Sequence, residues 1–169
     1  MQYEQTDEGL GSTYRSLPQK EWDRRFMEVA KLTSSWSKDP STKVGAVVVS
    51  RKNVILSSGW NGFPRGIKDD SDRLNIREIK YRYIVHAEMN AIYNATYNGI
   101  SLDNSTLYVY GLPICSECTK GVIQVGIKRV VLPSLKDVPE KWLLQWQNSS
   151  QPMYEEAGVE ITFMDFESA

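Results

Sequence analysis

One histidine and two cysteines are the only residues of their kinds in the 169-residue chain, and their placement constrains the fold more than any other feature. They lie in two short motifs, His86-Ala87-Glu88 and Cys115-Ser116-Glu117-Cys118. A Cys-x-x-Cys step places two thiolates about one helical turn apart, so both can face one metal ion. A catalytic zinc takes three protein ligands and keeps a fourth position for water. His86, Cys115 and Cys118 supply those three ligands with none left over, which predicts one Zn²⁺ per chain.

Glu88 follows the histidine by two positions and has a separate predicted role. Zinc lowers the pKa of its bound water to roughly 7, which provides a nucleophile at neutral pH. The attacking group then needs a proton carrier. Glu88 lies close to the metal through His86 and is not needed as a ligand, so we predict that it is the catalytic residue that moves the proton.

Each motif taken alone has a plainer interpretation. A lone histidine is usually a surface or core residue, and a lone Cys-x-x-Cys is compatible with a thioredoxin-like redox pair. A redox pair, however, gives His86 and Glu88 no role. The combination of the two motifs, both at predicted helix starts, favours zinc over these alternatives.

Composition narrows the functional class. The length suits one domain, and 41% hydrophobic and 24% charged residues are ordinary for a globular protein. A net charge of −1 and a pI near 5.9 argue against a nucleic-acid partner, although a local basic pocket for a small phosphorylated ligand stays open. The chain has no apolar run near the ~18 residues of a membrane span, and its polar, acidic start is not a signal peptide. The cysteine usage suits a reducing compartment, so we expect a cytoplasmic protein, in the host cytoplasm if a virus encodes it.

The first half of the chain predicts a helix and a hairpin. Residues 1–16 are predicted to be a mobile lead-in, and residues 17–169 a single domain. A 3–4-residue apolar period predicts a core-facing helix over residues 21–35. Two apolar runs at 44–49 and 54–60, joined by a short turn, predict an antiparallel hairpin.

Two segments after the hairpin are predicted to lack regular structure. Residues 61–66 form a glycine-rich loop whose amides could approach a phosphate, with a plain surface loop as the alternative. Residues 67–82 are dense in charges of both signs. They predict an active-site flap or a solvated loop.

The rest of the chain alternates helices and strands. Helices are predicted at 86–97, 115–125 and 141–157, and strands at 105–110, 130–132 and 159–163. The last helix is predicted to break around 149–152 and to be capped by Gly158. This order predicts a three-layer α-β-α fold of the α/β class, with a five-stranded mixed sheet. The two metal-bearing helices are expected to begin side by side at one edge of the sheet.

Four segments resemble the deoxycytidylate (dCMP) deaminase family, within the cytidine-deaminase-like fold. They are residues 37–46 (SKDPSTKVGA), 59–66 (GWNGFPRG), 80–91 (KYRYIVHAEMNA) and the stretch from 113 to 127. The His-x-Glu and Pro-Cys-x-x-Cys pattern alone is typical of zinc deaminases in general. The first two segments favour a mononucleotide deaminase. In this chain Ile114 separates Pro113 from Cys115, and we expect the loop before the helix to absorb this extra residue.

The resemblance implies hydrolytic conversion of dCMP to dUMP and ammonia, which feeds thymidylate synthesis. It implies that His86, Cys115 and Cys118 bind zinc. It also implies that Glu88 takes a proton from the attacking water, delivers it to N3 of the base and then protonates the departing amine.

The resemblance further implies a set of substrate contacts. Asn61 matches the family position that contacts the sugar. The Ala87 amide and the region of Ser116 would recognise the pyrimidine edge, and Tyr83 with nearby basic residues would lie at the phosphate end.

The resemblance also implies allosteric regulation. Many members of the family are homohexamers that dCTP activates and dTTP inhibits, and each of these nucleotides is bound with Mg²⁺. The regulatory nucleotide lies near a Gly-Tyr-Asn-Gly segment, where this chain has Trp60, and Trp36 replaces an arginine common in relatives. The residues predicted to form that site are Asp39, Lys43, Asn61, Gly62 and Arg65. A second, structural zinc is not expected, because no Cys or His is spare.

Other functions fit part of the pattern. The chain could deaminate another base, such as cytidine or a nucleic-acid adenosine or cytosine, although its acidic pI counts against polynucleotides. It could be an inactive zinc scaffold, but a structural zinc normally has four closed ligands and needs no carboxylate.

Overall fold

A five-stranded mixed sheet organises residues 16–166, the part of the chain that the computed structural model describes. Its strands are β1 (Gly45–Val49), β2 (Ile55–Trp60), β3 (Thr106–Tyr110), β4 (Arg129–Pro133) and β5 (Glu160–Met164). Their order across the sheet is β2-β1-β3-β4-β5. β1 is antiparallel to β2 and β3, whereas β3, β4 and β5 run parallel. The predicted fold class is confirmed. The lead-in predicted for residues 1–16 lies, apart from Ser16, outside the described residues.

The helices bracket this sheet. They are α1 (Gln19–Ser34), α2 (Ser71–Asn75), α3 (Arg77–Tyr83), α4 (Ala87–Tyr97), α5 (Ser116–Gln124), α6 (Glu140–Gln145) and α7 (Gln151–Ala157). The predicted starts and ends of the long helices agree with these bounds to within two residues, the usual uncertainty of a helix end. None of the helices in residues 16–166 combines the length and the apolarity needed to cross a membrane.

The core has two layers because successive strand residues point to opposite faces of the sheet. On one face Val47 and Val49 pack against α1. On the other face Ala46 and Val48 pack with the buried residues of α4, α5 and the C-terminal helix. The strands that carry the core are therefore covered on both sides, which explains their continuous β-branched composition.

Of the two alternatives for residues 67–82, the solvated loop is wrong, because the structure places α2 and α3 there. The Asp70 side chain caps α2 by accepting a hydrogen bond from the backbone N–H of Asp72 at 2.9 Å. In α3 the buried residue is a lysine, Lys80, so the segment shows no apolar period. Pattern reasoning depends on that period and therefore missed both helices.

A buried polar network fastens α1 to the sheet. The Asp23 carboxylate accepts two hydrogen bonds from the Arg129 guanidinium, at 2.8 and 2.6 Å, and one from the Tyr108 hydroxyl at 2.7 Å. Burial acts to raise the pKa of Asp23, but the hydrogen bonds from Arg129, Tyr108 and Gln19 outweigh it and lower the pKa. Asp23 therefore stays ionised and paired, and it links one helix to two strands.

Helix α4 rests on β2 with backbone against backbone. A Cβ atom at Gly59 would lie 2.4 Å from the Ala91 nitrogen and 2.6 Å from the Ala87 oxygen. No side chain fits in that space, so only glycine permits this approach. The contact sets the height of the N-terminus of α4 above the sheet.

The C-terminal helix is continuous where a break was predicted near residues 149–152. A π-helical turn, Trp146–Ser150, joins α6 to α7, and the Gln151 N–H donates to the Trp146 carbonyl. Pro152 has no N–H to donate within an α-helix, and the wider turn accommodates this loss. Gly158 ends the helix with a φ of 72°, as predicted.

Candidate metal centre and active site

The three predicted ligands meet at the starts of α4 and α5. The Nδ1 atom of His86 lies 3.3 Å from the Cys115 sulfur and 3.4 Å from the Cys118 sulfur. All three ligand atoms lie within 4.8 Å of one another. Tetrahedral zinc with ordinary Zn–S and Zn–N bonds separates such atoms by about 3.6 Å. The donor set and its spacing therefore fit zinc.

Local backbone structure explains why these side chains converge. His86 and Cys115 are the N-cap residues of α4 and α5, and both have an extended backbone. The Cys115 sulfur accepts a hydrogen bond from the Cys118 N–H at 3.4 Å, so the ligand also caps its own helix. The two helices approach closely, since a Cβ at Gly121 would meet the Met89 sulfur at 2.7 Å. Two helix N-termini thus point at one spot, and their partial positive charge favours thiolates.

The ligands perturb one another electrostatically. A hydrogen bond from Cys118, supported by one with His86, holds the pKa of Cys115 well below its usual range. The hydrogen bond with Cys115 raises the pKa of His86. Zinc binding requires both sulfurs as thiolates, so it is coupled to proton release from this cluster.

Glu88 lies in the first turn of α4 and is 4% exposed. Burial raises the pKa of its carboxyl group to about 7, against the opposing effect of the nearby His86 charge. A carboxyl group with a pKa near neutrality can both take up and release a proton at working pH. This position and this chemistry suit the predicted proton carrier.

A cavity opens onto this cluster. It is lined by Asp39, Ser41, Thr42, Val44, Asn61, Arg77, Lys80, Tyr81, Ile84, His86, Ala87, Glu88, Leu112, Pro113, Cys115 and Trp142. The metal-ligand side comes from the starts of α4 and α5. The opposite wall comes from the loop after α1, from α3 and from α6, so the site joins distant parts of the chain.

The opposite wall contains a buried ion pair. The Lys80 ammonium lies 3.0 Å from Asp39 and 3.3 Å from the Ser41 hydroxyl. Lys80 and Asp39 are each 6% exposed. Asn61 completes the wall, because its side chain accepts from the Val44 N–H at 2.9 Å and donates to the Thr42 carbonyl at 2.9 Å. These contacts build the wall before any ligand arrives.

The predicted substrate residues divide into two groups. Asn61 and Ala87 line the cavity, whereas Ser116 and Tyr83 are not part of its lining. The Tyr83 ring instead packs on Phe63, with 5.9 Å between ring centroids, and lies under the Arg73 guanidinium at 4.6 Å. The roles assigned to Tyr83 and Ser116 stay predictions.

Sequence reasoning missed several lining residues, among them Arg77, Tyr81 and Trp142. Arg77 and Tyr81 belong to the segment predicted as a flap or loop, and Trp142 belongs to the helix predicted at 141–157. A cationic residue in a charge-dense stretch near the histidine motif is the one signal that pointed toward Arg77.

The residues predicted for the regulatory site lie in different surroundings, and their assignment stays a prediction. Asp39 and Asn61 line the cavity that also contains the zinc ligands. Gly62 forms an isolated bridge with Val85, and Lys43 is exposed. The Arg65 guanidinium lies over the Tyr97 ring at 5.2 Å and hydrogen-bonds Asn94.

Comparisons with known proteins agree with this geometry. The family model for the cytidine and deoxycytidylate deaminase zinc-binding region matches residues 20–134. The chain is 42% identical over 146 residues to an uncharacterized deaminase in the luxG 3' region of Aliivibrio fischeri, covering 85% of this chain and 93% of that protein. It is 42% identical over 121 residues to the human deoxycytidylate deaminase, covering 69% of this chain and 66% of that enzyme.

A solved structure supports the same family assignment. The dCMP deaminase of the cyanophage S-TIM5, in complex with dCMP and dUMP, matches with a TM-score of 0.69 and 27% identity. The match covers 89% of this chain and all of the phage chain, 100%. The chain described here therefore belongs to the cytidine and deoxycytidylate deaminase family and is a zinc-binding deaminase.

Proposed function

We propose that this chain catalyses the hydrolytic deamination of dCMP to dUMP and ammonia, and thereby supplies dUMP for thymidylate synthesis. The observation that carries the proposal is one cavity that joins Glu88 and the zinc ligands to a cationic residue, Arg77. A pyrimidine with a phosphate at its far end matches that distribution of groups. The relative that binds dCMP and dUMP supports the choice of substrate.

The chain's own residues account for binding and proton transfer. His86, Cys115 and Cys118 would hold the zinc, which when bound would supply an activated water as the nucleophile. Glu88 takes one proton from the attacking water and passes it to N3 of the ring. It then takes the second proton from the new hydroxyl group on C4 and gives it to the amine, so that the bond between C4 and the amine nitrogen breaks and ammonia leaves. Ala87 lines the cavity, and its amide belongs to the first turn of α4, where N–H groups have no partner within the helix. That amide is free to recognise the pyrimidine edge.

Arg77 is the residue that we assign to the phosphate. It is exposed at the cavity, whereas the charge of Lys80 is taken up by Asp39. A guanidinium binds phosphate through two parallel hydrogen bonds, which makes arginine well suited to this task. Selectivity for the nucleotide over the nucleoside would therefore depend on this one side chain.

Substrate comparison tests the proposal. We expect loss of absorbance with dCMP and little with deoxycytidine or cytidine, in protein that contains about one zinc per chain. Arg77→Met is expected to raise KM for dCMP about 10- to 100-fold, the value of a lost charge-assisted hydrogen bond, without changing the reaction with deoxycytidine. Arg82→Met is the matched control, because Arg82 is exposed on the same helix but does not line the cavity.

Two results would contradict the proposal. Equal or faster deamination of cytidine, or of adenosine or cytosine in a polynucleotide, would assign the enzyme to another base. No turnover of any of these substrates by zinc-loaded protein would support the inactive scaffold.

We also propose a cytoplasmic homohexamer that dCTP activates and dTTP inhibits, each with Mg²⁺. Family resemblance supports this regulation, and the Arg65 side chain, held over Tyr97 at the surface, is available to an anionic effector. Arg65→Ala is expected to raise the dCTP concentration needed for half-maximal activation about tenfold or more. Unchanged activation would remove Arg65 from the site, and light scattering measures the oligomer directly.

A further inference from the structure

Ile114, the extra residue between Pro113 and the first cysteine, is held at both its side chain and its carbonyl. Its side chain is 1% exposed and belongs to the core formed with Trp146 and Tyr154. Its carbonyl accepts a hydrogen bond from the Ser150 hydroxyl at 2.7 Å. Ser150 is itself fully buried, at 0% exposure. The residue directly before the ligand Cys115 is thus connected to the C-terminal helix.

The π turn explains why Ser150 faces that carbonyl. Trp146, Ser150 and Tyr154 are spaced four residues apart, and each is at most 1% exposed. In an α-helix four residues overshoot one revolution by about 40°. A π turn takes more than four residues per revolution and therefore undershoots. One π turn followed by one α turn cancels the drift, so the three side chains lie on one line that faces the core.

We propose that Ser150 is a positioning residue for the metal centre. Its hydroxyl fixes the Ile114 carbonyl and thereby holds Cys115 at the N-cap of α5, where its sulfur meets the Cys118 sulfur and the His86 imidazole. The proposal rests on the zinc-ligand part of the proposed function and is independent of the substrate. π turns occur frequently at functional sites, which agrees with this role.

Physical chemistry supports an effect on the metal. Distances between zinc and its ligands in proteins lie within about 0.2 Å of their standard values, so a displaced ligand weakens the site. Removal of the Ser150 hydroxyl leaves the buried Ile114 carbonyl without this hydrogen-bond donor. The loop before Cys115 must then either shift or be destabilised by the unpaired carbonyl. Loss of groups that orient ligands typically weakens metal binding 10–100-fold.

The test compares three variants as purified, full-length protein. Ser150→Ala removes the hydroxyl, and Ser150→Thr keeps it while adding a methyl group. Ser105→Ala is the matched control, because Ser105 is also buried and donates to a backbone carbonyl, that of Leu102, at 2.6 Å, but lies outside the metal cluster and the cavity lining. The Zn²⁺ dissociation constant is measured by competition with a chromophoric chelator. The visible spectrum of the Co²⁺ form reports the ligand geometry, and circular dichroism confirms that each variant is folded.

We expect Ser150→Ala to raise the zinc dissociation constant about tenfold and to change the Co²⁺ spectrum. Ser105→Ala should match the unmodified protein in both measurements. Ser150→Thr should bind zinc more tightly than Ser150→Ala, even if the added methyl group lowers its melting temperature. An unchanged zinc affinity in Ser150→Ala would overturn the proposal, and so would an equal loss in Ser105→Ala, since that would reflect general stability. Failure of the unmodified protein to bind zinc would instead overturn the ligand assignment itself.

Discussion

Glu88→Gln is expected to lower kcat/KM for deamination by about 10²–10⁴-fold, the usual contribution of a positioned acid–base group. Glutamine matches glutamate in size but can neither take up nor release the proton. Since burial already raises the pKa of Glu88 to about 7, the pocket accommodates an uncharged side chain, and the fold should be preserved. The loss should appear in kcat more than in KM.

Zinc content and a neighbouring variant separate this effect from damage to the site. The bound zinc should stay at about one per chain, because the proposed ligands His86, Cys115 and Cys118 are untouched. Glu117→Gln is the matched control, since the Glu117 side chain is 80% exposed and pairs with Lys120. Glu88→Gln activity within tenfold of the unmodified enzyme would show that another group carries the proton.

Lys80→Met is expected to lower the free energy of unfolding by about 3–5 kcal/mol. The substitution leaves the Asp39 carboxylate buried without its cation, and a buried charge that loses its partner is strongly destabilising. Urea denaturation measures the change. Activity should fall as well, because both residues line the cavity.

An exposed pair and a double variant complete the test. Lys38 forms an ion pair with Asp69, but the Lys38 side chain is 70% exposed, so Lys38→Met should cost less than about 1 kcal/mol. Combining Lys80→Met with Asp39→Asn should cost less than the sum of the two single changes, since neither charge is then left unpaired. Additive costs would mean that the two side chains act independently.

The metal cluster could be predicted from sequence because rare residue types carry strong chemical information. With a single histidine and two cysteines, few ligand sets are available. Both ligand motifs also begin helices that pack on the sheet, α4 against β2 and α5 directly after β3, so the two helix starts lie together. The central strands β1, β3 and β4 were equally clear, because each is buried on both faces.

The opposite wall of the cavity could not be predicted in the same way. Arg77 and Lys80 are charged residues in a segment without an apolar period, and only tertiary contacts make that segment helical and bury Lys80. Trp142 lies in a helix that was predicted, but hydrophobic periodicity does not distinguish a residue of the core from one that lines a cavity. The π turn arises from Pro152 and from packing against Ile114, a contact between residues far apart in the chain.

The two sides of the cavity differ in how much amino-acid substitution they tolerate. The metal side depends on helix starts seated on strands, where Gly59 leaves no room for change. The facing wall is built from side chains on three separate segments, and its exposed members, such as Arg77, can be exchanged without moving the metal ligands, whereas the buried Lys80–Asp39 pair cannot be broken without loss of stability. Mutation can therefore alter which molecule is accepted while the chemistry is inherited intact. An enzyme of this design can diverge toward new substrates by changing one wall, and most such changes should leave a working zinc centre behind.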